Sequence, residues 1–154
     1  MGKTFLVALF FASMLIISGC GEKTIDYSDP NTLITLTEKM STEEQVHFIS
    51  DVMVVALALG GEEKLNGYTV SQVTEEAINV RAFIRKKNIK FLEITIPEME
   101  AMGENSISLV EHNGFLSKPE DGDISFKKYS IERLKEIIDK LKSGKNIEDI
   151  LYKK

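Results

Sequence analysis

The chain has a single cysteine, Cys20, which closes the run Ile17-Ser18-Gly19-Cys20 after sixteen residues, 4–19, that carry no charge. An apolar residue and two small ones directly ahead of a cysteine form a lipobox. The chemistry it directs is alkylation of the thiol by a diacylglycerol, cleavage between Gly19 and Cys20, and acylation of the freed amine. Lys3 supplies the positive n-region and residues 4–15, with three phenylalanines, the apolar h-region. Each buried methylene contributes about 0.8 kcal/mol, so two or three acyl chains anchor a protein for its lifetime. The competing reading is an uncleaved membrane helix, since the run approaches the ~17 residues that can just span a bilayer. Gly19-Cys20-Gly21 is a poor helix end inside lipid and suits cleavage.

Other residues with chemical potential are scattered. The two histidines, His47 and His112, have no second histidine or acid at metal spacing such as H-E-x-x-H. Glu120-Asp121-Gly122-Asp123 offers hard oxygen donors but lacks the remaining spacing of a calcium loop, and reads as an acidic turn. The doublets Glu43-Glu44, Glu62-Glu63 and Glu75-Glu76 could provide the facing carboxylates of a glycoside hydrolase, yet helix starts and solvated faces account for all three. Met99 and Met102 could be soft copper ligands, but at helical spacing they read as core filler. G-x-S-x-G and G-x-G-x-x-G are absent from the sequence. The expectation is therefore no catalytic set, no metal site and no cofactor, with Cys20 the one modified residue.

Removing residues 1–19 leaves 154 − 19 = 135 residues, one ordinary domain. Lipidation consumes the only thiol, so disulfides and zinc-thiolate clusters are excluded. Lys3 is the only charge removed, so 18 basic residues face 24 acidic ones, a balance of −6. An acidic body without a basic stripe argues against nucleic acid and is repelled by anionic lipid. Residues 20–29 read as the lipidated cysteine and a short tether, whose nine residues after Cys20 reach about 30 Å. Residues 30–154 read as a single, mainly helical domain. Because Gly21 and not aspartate follows the cysteine, the expected location in a bacterium with two membranes is the inner leaflet of the outer membrane, facing the periplasm.

The positioning elements follow from caps and periodicity. Asp29-Pro30 starts a helix with Leu33, Leu36 and Met40 on one stripe, and Ser41 to Glu44 is a capping box opening a second. The second helix is amphipathic at Val46, Ile49 and Met53, then apolar on every side from Val52 to Leu59, which predicts a central buried helix stopped by Gly60-Gly61. Thr69 and Gln72 cap a third helix with Val73, Ala77, Val80 and Ile84 buried. Between residues 89 and 99 strand alternation competes with helical spacing, Pro97 opposes both, and helix is favoured. Asn113-Gly114 signals a type I′ hairpin after residues 106–110, with Ile124-Ser125-Phe126 as a further short strand. Ser130 caps an amphipathic helix with Leu134, Ile137, Ile138 and Leu141 inward, and Gly144-Lys145-Asn146-Ile147 leads into the last helix. The fold class is mainly α, a small helical bundle of six helices, leaving room for a short β-hairpin around residues 106–128.

The lipobox, Ile25-Asp26, the stretch Leu36-Thr37-Glu38-Lys39-Met40-Ser41-Thr42-Glu43-Glu44, Met53-Val54-Val55-Ala56-Leu57 and Leu65-Asn66-Gly67-Tyr68-Thr69-Val70 together resemble an uncharacterised family of small bacterial lipoproteins, a domain of unknown function. The resemblance covers residues 17–84. Family members usually carry acidic residues where this chain has Ser71 and Gln72, and the tail beyond Arg85 matches less well. The resemblance implies a helical, membrane-tethered lipoprotein and brings no catalytic residues. The expected role is a non-enzymatic interaction or structural module, held to the membrane by acyl chains on Cys20 and meeting an envelope protein. The alternative is a carrier of a small apolar ligand, with the second helix lining its pocket.

Overall fold

Ser41, Thr69 and Ser130 each place a hydroxyl where it accepts from the backbone N–H three residues on, and a helix begins after each one. The structure, a computed structural model, describes residues 22–152. Its elements are α1 (Thr32–Thr37), α2 (Thr42–Leu59), a 3-10 turn (Glu62–Leu65), α3 (Val70–Ala101), β1 (Ser106–His112), β2 (Phe115–Ser117), β3 (Lys127–Ser130), α4 (Ile131–Lys142) and α5 (Ile147–Leu151). The mainly helical class with a small antiparallel sheet is as expected. Both capping boxes are complete, with Glu44 and Gln72 reaching back to the N–H of Ser41 and Thr69. Gly60, at φ 85°, ends α2. Asp29 does not cap α1 directly: its carboxylate accepts from Asn31 N–H in a turn just upstream. The far end of α1 is closed by Gln45 of α2, whose amide donates to the carbonyls of Thr37 and Met40.

The helices at residues 70–84 and 89–99 are one element, which reduces the expected six helices to five among the described residues. At ~1.5 Å per residue α3 is about 48 Å long. It continues through Pro97, where the missing N–H and ring clash cost a helix interior about 3 kcal/mol. Leu92, Ile96 and Met99 lie buried on both sides of the proline. Each contributes about 1.5–3 kcal/mol by burial, which outweighs the proline.

Two hydrophobic clusters share α3. One gathers Ile25, Phe48, Val52, Val55, Leu65, Val73 and Ala77; the other gathers Leu92, Ile96 and Met99 with Leu109, Leu116 and the inner face of α4 and α5. Residues 22–29, read from the sequence as a tether, lie along the first cluster. Thr24 bridges Thr69, Ile25 exchanges hydrogen bonds with Gly67 and Tyr68 and is fully buried, and Tyr27 N–H donates to Asn66 Oδ1. The physical cause is an exposed backbone edge at residues 66–69 beside an apolar hole that Ile25 fills.

The sheet has the order β2-β1-β3, all antiparallel. Asn113 and Gly114 both have positive φ, 51° and 84°, as a type I′ turn requires. The third strand is Lys127–Ser130, not Ile124-Ser125-Phe126, and Ile124 is 96% exposed. Register explains the shift: pairing Tyr129 with Ile107 sets both against the core and leaves Ser130 free to cap α4.

Candidate functional site

Helix α2 has two apolar stripes and neighbours for only one. Phe48, Val52, Val55 and Ala56 face the core, whereas Val46, Ile49, Met53 and Leu57 are 44–63% exposed. The expectation of a helix buried on all sides, with Val46, Ile49 and Met53 inward, is thus corrected. Periodicity shows that a helix is apolar all round; which face acquires neighbours depends on where α3 lies. The Arg81 guanidinium settles that by bonding the largely buried Asp51 carboxylate and the Ser50 hydroxyl across the α2–α3 seam.

The uncovered stripe forms one wall of an open apolar groove of about 1140 Å³. Val80, Phe83 and Ile84 of α3 form the opposite wall, and the turn of the hairpin, residues 112–115, closes one end. Phe83 and Phe115 meet edge to face, centroids 6.3 Å apart. The end wall is held by Asn88, which is 1% exposed: its Nδ2 donates to the Gly114 carbonyl at 2.7 Å and its Oδ1 accepts from Leu116 N–H at 2.9 Å. Gly114 is favoured by its φ of 84°, and a Cβ there would stand 3.2 Å from Ile84 Cγ2 and push the mobile end of the Glu148 side chain aside.

The polar residues of the groove are acidic or neutral: Glu76, Glu111, Glu148, Ser50, Asn79, Asn113 and His112 line it, and no lysine or arginine does. Glu111 is committed, accepting from Gly114 N–H at 2.6 Å and from the Tyr152 hydroxyl at 2.7 Å. That hydrogen bond, followed by burial and nearby negative charge, pushes the Tyr152 phenol up to about 12. Glu111 and Glu148 both approach Gly114, so they flank one end of the groove. Glu76 lies eight residues before Ile84 on α3, roughly 12 Å away along the axis.

The other sequence candidates are spread over the surface and the core. Gly19 and Cys20 lie outside the described residues. His47 is exposed, 3.9 Å from Glu43, while His112, the last residue of β1, lines the groove. Glu44 is used in its capping box, and Glu62 and Glu63 in the 3-10 turn. Asp123 accepts from Glu120 N–H and donates its own N–H to the Glu120 carbonyl, closing the acidic turn on itself. Met99 is buried and Met102 exposed, so they do not share a site. Among the described residues no three His, Cys, Asp or Glu side chains gather where they could hold a metal ion, and no helix is long and apolar enough to cross a membrane. The Asn113-Gly114 turn was legible in the sequence, but its place beside α2 and α3 was not, because Asn88, Leu116 and the Phe83–Phe115 contact that hold it there join residues far apart in the chain. No family model, curated protein or solved structure matches the chain.

Proposed function

We propose that this protein is a bacterial envelope lipoprotein, held by acyl chains on Cys20, whose helical body works without catalysis by docking a protein partner in the groove between α2 and α3. The observation that carries the reading is the open apolar groove itself. Four large side chains of α2 stay exposed on one stripe opposite Phe83, and contiguous apolar surface of this kind marks interaction sites. A carrier would enclose its ligand, burying some 70–90% of it, whereas this groove is open along one side. The resemblance over residues 17–84 and the lipobox support the anchor.

In this reading the packed segment brings the body close to the lipid. Glu22 accepts from the Ser71 hydroxyl at the start of α3, so only Gly21 separates Cys20 from the folded body. Two residue steps span about 7 Å, far less than the ~30 Å of a free tether. The start of α3 faces the membrane, and a partner must come to that surface.

Two experiments test this. Cys20→Ala is expected to leave the unprocessed protein without stable acyl anchorage; normal processing with retention in the membrane fraction after salt and carbonate washing would disprove the lipobox. A photo-cross-linking residue placed at Met53 in intact envelopes should trap one reproducible protein, and the same probe at Glu132 on α4 should not. Equal or no trapping at the two positions would remove the groove as the docking site.

A further inference from the structure

We infer that the groove takes an amphipathic helix of the partner, with lysine or arginine at both ends of its apolar face about two turns apart. The inference deepens the docking reading and rests on it.

The shape selects a helix. The lining residues of α2 run from Val46 to Ala58, about 18 Å or three helical turns. Both long walls are helices with their backbone groups satisfied internally, so they offer no ladder to an extended peptide. The one nearby strand edge is β2, and there Asn88 has already taken the Leu116 N–H and the Gly114 carbonyl. Strand addition is blocked at the groove's end, leaving insertion of an apolar helical face.

Charge selects the ends. Glu76 stands at one end and Glu148 at the other, and neither makes a side-chain hydrogen bond or ion pair among the described residues. Glu111 adds a second carboxylate at the Glu148 end while serving Tyr152 and Gly114, and the guanidiniums behind that end are directed elsewhere, Arg81 to Asp51 and Arg85 to Asn146. On α3 the stretch from Glu76 to Ile84, which shares its end of the groove with Glu148, is roughly 12 Å or eight residues long, so cations at i and i+7 or i+8 of a bound helix would reach toward the two carboxylates while i+3 and i+4 point down. A second copy docked groove to groove would set these glutamates against their own copies. An anionic membrane meets the same repulsion, and a small apolar ligand would make no use of the acidic ends.

The test uses the mature chain, residues 20–154, with Cys20→Ser, which retains every described residue. Two labelled synthetic helical peptides of about three turns carry the same leucine and phenylalanine face, one with lysine at both ends and one with glutamate. The lysine peptide is expected to bind about tenfold more tightly at low salt, with the preference shrinking at ~0.5 M salt. Glu76→Lys with Glu148→Lys should reverse the preference, and Met53→Glu should weaken both peptides; circular dichroism checks that these exposed substitutions leave the fold intact. Equal binding of the two peptides overturns the charge rule and leaves the docking reading standing. Binding of neither, while cross-linking at Met53 still traps a protein, overturns the helix inference alone; failure of both removes the docking reading as well. A dimer that dissociates on Met53→Glu would make a second copy the occupant and overturn the inference.

Discussion

The Asn88 amide stands in for a fourth strand, taking the Gly114 carbonyl of the turn and the Leu116 N–H of β2 on the sheet's open edge. Replacing it by leucine of similar size strands both buried groups, and each unsatisfied group costs about 1–3 kcal/mol. Asn88→Leu should therefore lower stability by roughly 2–4 kcal/mol in urea unfolding, and should weaken groove binding because the end wall comes loose. A destabilisation below ~1 kcal/mol would show that water replaces the amide easily. At the same end of the groove, Tyr152 gives a pH prediction. Its phenol is raised from an unfolded value of 10 to about 12, mainly because it donates to Glu111. A raised value means that the stability it contributes is fully present below pH 10 and is lost as pH rises through about 12. Absorbance titration should show a late tyrosinate step near pH 12 that Tyr152→Phe abolishes. Neither residue could be singled out from sequence, since an asparagine on a helix and a tyrosine near the chain end find these partners 26 and 41 positions away in the chain.

At the scale of elements, what is local was legible. Ser41 and Thr69 announce their helices because each box closes over three residues, and Ser41→Ala or Thr69→Ala should cost about 1 kcal/mol of stability apiece. Asn113-Gly114 announces its turn because the positive φ values are properties of those two residues. Helix α2 was legible as a helix but not in orientation. Its apolar residues satisfy two stripes, and local spacing does not say which stripe α3 covers. The energetic contrast is measurable: Phe48→Ala on the covered stripe should cost about 3–5 kcal/mol, against less than ~1 kcal/mol for Met53→Ala on the open one. Similar losses at both positions would mean that the groove closes in solution. The sequence reading keeps residues 70–84 and 89–99 as separate elements because Leu92, Ile94 and Ile96 alternate as a strand would, whereas burial of Leu92, Ile96 and Met99 on one helical stripe makes α3 continuous through Pro97. Pro97→Ala should accordingly raise the melting temperature, as it restores a hydrogen bond to the Glu93 carbonyl without touching the core.

At the scale of the molecule, two clusters are joined by one helix. Loss of either cluster exposes half of α3, so the clusters should unfold together: Leu65→Ala in the first and Leu134→Ala in the second should each cost about 2–5 kcal/mol while thermal unfolding remains a single transition. Two resolved transitions would show that α3 can melt from one end. The acidic balance and the mainly helical class are properties of composition and period, and these the amino-acid sequence determined by itself. The tertiary structure alone decided that residues 22–29 lie along the body, since that requires the backbone of residues 66–69 to come alongside. It alone decided that α2 keeps an apolar face open and that Glu76 and Glu148 stand at the two ends of one groove. The physical reason is range: caps, turns and charge act over a few residues, whereas a groove is made by surfaces that remain uncovered after distant elements have packed.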